Sequence, residues 1–473
     1  MSHQQNHQNK TGVFRHARHI HFVAIGGIGM SGIAEVLITM GGFTISGSDL
    51  RPSKITDRLE KLGAKIFLGH DVTNVAGADV VVRSSAVTEA NTEVREARKL
   101  RIPVIRRAEM LAELMGLKQG IAIAGSHGKT STTTLVAAAL QAGGLQPTVI
   151  VGGVINNIGS NAVSGPGQYL VAEADESDGT FLHLTPTIAV VTNIDYEHVD
   201  HYPDMDHLRA AFLEFLGRVP FYGTCVLCLD DPEVRALLPQ LDRMVLTYGL
   251  HEGADVAVEA GSICNTELGQ EAMVLIRGQR AGLLKLAMRG RHNLSNALAA
   301  VAVALDVGMS FDQAAAGISG SKGVGRRCDF KGEYGGVLVL DDYGHHPTEI
   351  QATMEVALSY GRPVSVVFQP HRYSRTRMFL REFADALASA TRVALLPVYA
   401  ASEEAIEGVE SHLIAQQLKD KGLEDVELPD TMESLTAWVQ RCVPPGDLLI
   451  LLGAGDIGRM VGPVCDLLDE RNF

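Results

Sequence analysis

The sequence of 473 residues predicts an α/β protein of three domains with parallel sheets. Two observations carry this. Short apolar runs alternate with helix-length segments along the chain, which is the pattern of βα repeats. Several of these runs stop at glycine-rich or acidic turns, where open parallel sheets present their carboxyl ends. A chain of this length also exceeds one ordinary core, and roughly two to four domains is the expectation. The boundaries read as 1–118, 119–325 and 326–473.

Composition narrows the class. Apolar residues make up 46% and charged residues 20%, values of a globular protein. The net charge of −14 argues against nucleic acid as the main partner, because there is no basic excess to displace counterions. A local pocket for an anionic nucleotide remains compatible with it. Six cysteines do not make a disulfide framework. Cys225 and Cys228 form a C-x-x-C pair, but on a strand over 224–229 that offset puts them on opposite faces. They read as core cysteines, not zinc ligands. Met1–Lys10 is rich in Gln, Asn and His and predicts disorder, extended to residue 18 by the domain boundary. No apolar stretch reaches the roughly 18–20 residues that span a bilayer, and the N-terminus has no signal-peptide core. A soluble, cytoplasmic protein without membrane insertion is expected.

The first domain opens with a strand at His21–Ile25. Gly27-Ile28-Gly29-Met30-Ser31-Gly32 follows, matching G-x-G-x-x-G, and then a helix through Thr39. A second strand, Phe43–Gly47, leads to Asp49, an acid placed to meet a ribose hydroxyl. Further strands read at 65–68, 80–83 and 104–105. This is a Rossmann-like unit, and taken alone it suggests NAD or FAD and hence an oxidoreductase.

The second domain starts with the apolar run Ile121–Ala124 and the turn Gly125-Ser126-His127-Gly128-Lys129-Thr130, with a helix from Thr130 to Leu140. Strand, glycine loop and helix form a phosphate-binding loop. Backbone N–H groups and a helix N-terminus face an anion, a lysine reaches the outer phosphates, and a hydroxyl binds Mg²⁺. The usual loop has four residues between its glycines. Here there are two, and Ile123 stands where the first glycine would be. Strands at 148–151, 169–173 and 188–192 follow. Acids cluster after two of them, Glu173-Ala174-Asp175-Glu176-Ser177 and Asn193-Ile194-Asp195-Tyr196-Glu197-His198. Oxygen ligands suit Mg²⁺ and one histidine can complete its shell, so Glu173 and His198 are the expected ligands, while His201 and His207 read equally well as surface residues. Asn293 and Asn296 share one face of an Ala-rich helix, able to bond a base edge or to cap the helix.

The third domain reads from Gly325-Arg326-Arg327-Cys328. A strand at 337–340 delivers Asp341-Asp342-Tyr343-Gly344-His345-His346-Pro347. Another, 364–368, delivers Gln369-Pro370-His371-Arg372-Tyr373-Ser374-Arg375-Thr376-Arg377. Strands at 392–396 and 448–452 follow, the last ending in Gly453-Ala454-Gly455-Asp456-Ile457-Gly458. Arginines and histidines at equivalent strand ends suggest a clamp for carboxylate or phosphate.

These motifs together resemble the ATP-dependent amide ligases that build the peptidoglycan stem peptide. The resemblance rests on G-x-x-G-K-T at 125–130, Asn-x-x-x-x-His at 193–198, His-Asn-x-x-Asn at 292–296 and the pair Asp342-Tyr343. The longer signatures at 26–35, 341–347 and 369–376 resemble the branch that joins L-alanine to UDP-N-acetylmuramate. The match runs from about His19 to Arg459.

The resemblance implies ATP, UDP-N-acetylmuramate and L-alanine as substrates, Mg²⁺ as two ions with ATP, no NAD or FAD, and an acyl-phosphate intermediate. It places the UDP-sugar on Gly27, Ile28, Gly29, Met30, Ser31 and Asp49. ATP phosphates fall to Gly125, Ser126, His127, Gly128 and Lys129, adenine to Asn293 and Asn296, and phosphates and ribose to Arg327 and Asp342. Thr130 holds one Mg²⁺, Glu173 and His198 the other. Tyr343, His345, Arg372 and Arg375 form the amino-acid site, and His345 assists amine deprotonation. Lys129, Glu173, His198, His345 and Arg327 are thus the expected catalytic set. Two positions depart from the family. Phe212 stands where several sister ligases have a carbamylated lysine, so no carbamate is expected, and Cys328 stands where an aromatic is usual. The rival within the class is a ligase that reattaches a recycled tripeptide to UDP-N-acetylmuramate. Outside the class it is an NAD-dependent oxidoreductase or a nucleotide-binding regulatory protein without turnover. Closure on ATP about a hinge near residues 320–328 is expected, in a monomer or a homodimer.

Overall fold

The computed structural model describes residues 14, 17–84, 86–155, 160–197, 201–267, 269–401 and 403–470. Residues 1–13, 15 and 16 of the opening stretch expected to be disordered, and the expected ligand His198, lie outside these residues; Phe14 and Arg18 of that stretch are ordered instead, the Phe14 ring 5.5 Å from Phe43 and Arg18 N–H donating to Asp79 Oδ2 at 2.7 Å. The chain folds into two compact units. The first runs up to Cys264 and adds Glu271–Ala287 and Leu294–Lys322, and the second takes Asn265–Gln270, Met288–Asn293 and everything from Gly323.

The first unit holds two sheets. One consists of β1 (His19–Val23), β2 (Thr44–Asp49), β3 (Lys65–Leu68), β4 (Val80–Arg83) and β5 (Val104–Arg106), in the order β3-β2-β1-β4-β5. All neighbours are parallel. This is the dinucleotide-type order short of its sixth strand, with its switch point between β1 and β4. The helix Ile28–Met40 starts just past β1 and has Gly27 as its cap, which offers no side chain to the first turn.

The second sheet follows as β6 (Gln119–Ala124), β7 (Thr148–Ile155), β8 (Ser160–Val163), β9 (Tyr169–Glu173), β10 (Ile188–Val191), β11 (Thr224–Cys228), β12 (Met244–Tyr248), β13 (Val256–Val258), β14 (Cys264–Asn265), β15 (Gln270–Ile276) and β16 (Gln279–Leu286). Its order is β14-β15-β13-β12-β11-β10-β6-β9-β7-β8, with β16 on β15. From β13 to β7 the strands are parallel, around a central β6. The antiparallel additions, β8 on β7 and β15 on β13, were not legible as strands. Cys225 and Cys228 on β11 meet different partners, Leu216 and Ser295, as their opposite faces require.

The two sheets share one hydrophobic core. Ile33 and Leu37 of the first helix belong to the same cluster as Ile150 and Ala162 of the β7–β8 hairpin. A β-carbon at Gly32 would lie 3.4 Å from Ala162 Cβ, so glycine lets helix and hairpin meet closely. Glu35, in the same helix, accepts from Arg58 at 2.6 Å and from Ser160 at 3.2 Å.

The second unit is built on β17 (Asp329–Tyr334), β18 (Val337–Asp342), β19 (Val364–Phe368), β20 (Arg392–Leu395), β21 (Val426–Glu427) and β22 (Leu448–Leu452), in the order β17-β18-β22-β19-β20-β21. Only β17 is antiparallel. Leu338 and Leu340 point into one core with Ile350 and Phe383, while Val337 and Val339 point into another with Trp438 and Val464. Strands buried on both faces read as continuous apolar runs, which is why they were legible. β22 lies between β18 and β19, so the three strand ends at Asp342, Leu452 and Phe368 flank the switch point.

Candidate active site

In the first unit the register brings the expected residues together. Ile123 on β6 pairs with Glu173 on β9, and Ala124 pairs with Val191 on β10. Both acidic loops therefore leave the sheet beside the phosphate loop. Helix Lys129–Ala142 begins directly after Gly128. Gly125 has φ 125° and Gly128 φ 82°, both in the region that favours glycine. A β-carbon at Gly125 would collide with Thr192 Oγ1, and one at Gly128 would lie 2.7 Å from Asn296 Oδ1.

The loop is laced to the segment after β10. His127 N–H donates to Asn193 Oδ1 at 2.8 Å, and Asn193 Nδ2 donates to His127 O at 3.1 Å. Ser126 Oγ lies 2.8 Å from Asp195 N, which donates to it, and the His127 ring meets Asp195 Oδ2 at 3.1 Å. His127 thus braces the loop through its ring, a role beyond that of a phosphate donor.

Lys129 Nζ donates to both oxygens of Glu176 at 2.9 Å and to Ser126 O at 3.1 Å. Burial acts against its charge, but Glu176, Asp175 and Glu197 outweigh that and hold its pKa above the ordinary value. These carboxylates neutralise the ammonium. Glu176 is 1% exposed and its own carbonyl accepts from the Tyr202 hydroxyl at 2.7 Å. Glu173 accepts from Gly152 N–H at 2.6 Å. Thr130 sits buried in the first helical turn. Phe212 is fully buried, with its ring 5.4 Å from that of Phe181.

At the first sheet, Asp49 Oδ2 accepts from Gly26 N–H at 2.9 Å, tying the end of β2 to the glycine turn. Ser31 Oγ donates to Ile28 O at 2.9 Å. Beside the turn stands a residue that the motifs did not reveal. A β-carbon at Gly29 would lie 2.8 Å from Arg107 Nη1, and Arg107 pairs with Asp175 at 3.4 Å. Arg107 also lines a cavity of about 260 Å³ with Arg83, Arg106, Asp178 and Thr180. Three arginines there suit an anion. The adjacent arginines after β5 were the available signal.

Helix Arg291–Asp306 carries both asparagines. Asn293 Nδ2 donates to Arg289 O at 2.8 Å, bonding the turn before it, while Asn296 stands against Gly128.

In the second unit, Tyr343 stands T-shaped to His345 at 5.5 Å, and His345 stands 5.6 Å from His371. Glu349 holds His345 Nδ1 at 3.2 Å and Arg327 Nη1 at 3.2 Å. Arg375 Nη1 reaches His371 Nδ1 at 3.4 Å, and His371 stacks on Tyr399 at 5.5 Å. Burial, reinforced by His345, Arg375 and Arg372, pushes His371 down to about 3, so its ring is neutral at pH 7. Arg372 has φ 70° and donates its N–H to Tyr399 O at 2.8 Å. Asp342 accepts from Cys328 N–H and Gly344 N–H, both at 2.7 Å, and burial still raises its pKa. It staples the two loops that carry Arg327 and Tyr343. His371, Tyr399 and Glu349 complete a site of which sequence named only part.

Doubly wound sheets, a phosphate loop on a central strand and acids at neighbouring strand ends define a nucleoside-triphosphate-dependent enzyme. The chain belongs to the Mur ligase family. It matches the Mur ligase family catalytic domain at residues 19–119, the Mur ligase middle domain at 123–304 and the Mur ligase glutamate ligase domain at 326–455. It is 50% identical to a UDP-N-acetylmuramate–L-alanine ligase of Desulfosudis oleivorans, over 94% of this chain and 97% of that protein. The crystal structure of a UDP-N-acetylmuramate–alanine ligase from Thermotoga maritima is similar with a TM-score of 0.80 and 29% identity, over 95% of this chain and 99% of that one. A murein peptide ligase from Psychrobacter arcticus has a TM-score of 0.69 at 21% identity, over 96% and 100%, which is a likeness of fold. The three-domain α/β architecture expected from the sequence is the family's.

Proposed function

We propose that this chain joins L-alanine to the carboxylate of UDP-N-acetylmuramate with consumption of ATP, in peptidoglycan precursor synthesis. The products are UDP-N-acetylmuramoyl-L-alanine, ADP and phosphate. The observation that carries this is the 50% identity over nearly the whole length with a ligase of that name.

The chemistry follows from the weakness of a carboxylate as acyl donor. Attack of the carboxylate oxygen on the γ-phosphorus expels ADP and leaves an acyl phosphate. The alanine amine then adds to the acyl carbon, the tetrahedral adduct releases phosphate, and the amine loses a proton. The protein's part is positioning and charge neutralisation. In this reading Gly125–Gly128 and the helix after them cradle the phosphates, and Lys129 leaves Glu176 for the β- and γ-phosphates. Arg107 and the glycine turn at 27–31 take the anionic UDP-sugar, with Asp49 bracing the turn. Asn293 and Asn296 serve adenine, Arg327 and Asp342 serve phosphates and ribose, and Tyr343, Arg372 and Arg375 hold the amino acid. His345, oriented by Glu349, is the base nearest this set.

The donor set fits Mg²⁺. The Thr130 hydroxyl, in the first turn of the helix that follows β6, and the Glu173 carboxylate, at the end of the neighbouring β9, are hard oxygen ligands. These two, with His198, would hold the ions, which neutralise phosphate charge when bound. A cytoplasmic setting accords with six free cysteines. Among the described residues no helix is long and apolar enough to cross a membrane.

Phosphate release with ATP and UDP-N-acetylmuramate across a panel of amino acids and the stem tripeptide tests the reading. L-Alanine should be preferred. Preference for the tripeptide, or tight NADH binding without ATP dependence, would overturn it.

A further inference from the structure

The turn after β22, Gly453-Ala454-Gly455-Asp456-Ile457-Gly458, has G-x-G-x-x-G spacing and follows a buried strand at the switch point of the second unit. By spacing alone it is a second phosphate-binding turn. In the structure protein fills that place. Gln369 Oε1 accepts the Ile457 N–H at 3.0 Å, a donor that a phosphate would need. A β-carbon at Gly455 would stand 2.8 Å from Tyr399 Cγ, and one at Gly458 would stand 2.5 Å from Arg326 Cζ.

Arg326 lies against the turn and is fixed on several sides. Its Nη2 donates to Gly453 O, and its Nε faces Asp341 Oδ1 at 3.3 Å. Its N–H donates to Asp329 Oδ2 at 3.3 Å, and its carbonyl accepts from Tyr343 N–H at 2.7 Å. The guanidinium lies 5.1 Å from the Tyr343 ring centre, and that of Arg327 lies 5.0 Å from the same ring. Arg326 also has φ 62°, a conformation that an arginine keeps only where its surroundings impose it.

We propose that the glycine turn at 453–458 is a cradle for Arg326 and that Arg326 is a positioning residue, setting Tyr343 and Arg327 for the amino acid and the phosphate. The glycines serve close approach of a guanidinium instead of a diphosphate. This rests on the ligase reading above.

Gly458→Ala tests it without removing any charge. Gly458 is not among the residues with positive φ, and its β-carbon would meet a side chain and no backbone, so the variant should fold. Gly462→Ala, with nothing within 4 Å, is the control. Gly458→Ala and Arg326→Gln should each raise KM for L-alanine about tenfold or more, with affinity for UDP-N-acetylmuramate close to wild type; the melting temperature should stay close to wild type in Gly458→Ala and fall in Arg326→Gln, which strands the buried Asp341. Arg326→Lys should recover part of the loss. Arg326→Gln with Asp341→Asn separates positioning from neutralisation of Asp341. Wild-type KM in that double variant, or in Gly458→Ala, overturns the proposal. So does a uniform loss toward all substrates that follows melting temperature. A wild-type chain that releases no phosphate with L-alanine sinks the ligase reading and this inference together. Active wild type with unaltered variants sinks the inference alone.

Discussion

Lys129 and Glu176 form a buried ion pair at the phosphate loop. The lysine is expected on triphosphate oxygens, yet here it rests on a carboxylate that is 1% exposed. Lys129→Ala should abolish product formation while leaving UDP-sugar binding largely intact, measured by phosphate release and calorimetric titration, and a fully active variant would refute the role. It should also destabilise the chain by about 3–5 kcal/mol, the usual cost of stranding one partner of a buried pair. Lys129→Met with Glu176→Gln should regain most of that stability without activity. A second buried carboxylate, Glu93, gives a pH test. Burial alone would raise its pKa, but the His21 ring 3.7 Å away and hydrogen bonds from Ser48 and Asn74 bring it down to about 2. A carboxylate depressed in the folded state adds stability above its unfolded value of 4.5, and this is lost as pH falls from there towards 2. The shift corresponds to roughly 3 kcal/mol. In Glu93→Gln, urea midpoints should fall at neutral pH and depend less on pH between 5 and 3. Sequence showed Lys129 because the glycine loop flags it. It showed Glu176 only as one acid in a run, since the partner is chosen by the register of β6 and β9. Arg326 and Tyr399 gave less signal still, for their roles depend on what the 453–458 turn brings near.

The longer strands buried on both faces were legible, and so were the half-exposed β3 and β5. β6, β10, β19 and β22 are uniform apolar runs, and their turns supply the phosphate loop and the arginine clusters. Missed or shortened elements are edge strands such as β16 and β17, whose sequences QRAGLLKL and DFKGEY alternate weakly and carry charge. β7 was read only over 148–151 and β8 was missed, because the Gly and Asn residues there read as loop. The loop before helix Lys129–Ala142 carries a prediction of its own. Gly128→Ala places an L-residue at φ 82° and a β-carbon 2.7 Å from Asn296 Oδ1. It should cost about 1–2 kcal/mol of stability from the left-handed backbone. It should weaken nucleotide binding by far more than it weakens UDP-sugar binding, as titration of each ligand would show. Equal weakening of both would mean that the loop does not hold the triphosphate.

At the scale of the molecule, the three family matches fall on two compact units. Gly323, with φ 71°, opens the second unit within the stretch expected to hinge. Small-angle scattering should show a smaller radius of gyration with ATP and UDP-N-acetylmuramate together than with neither, and an unchanged radius would remove the hinge. The first unit is expected to be indivisible. A fragment of residues 14–118 would bare Ile33, Leu37 and Glu35, which the β7–β8 hairpin covers. Such a fragment should be proteolysed quickly and lack a cooperative melt, whereas residues 14–322 should melt cooperatively. The hairpin therefore bears on how such proteins can be recombined. A chimera that imports the first sheet from a relative inherits a mismatched lid unless residues 148–163 travel with it, although the whole phosphate loop lies between them in the chain. The natural place to exchange parts is near Gly323, not at the end of the first sheet.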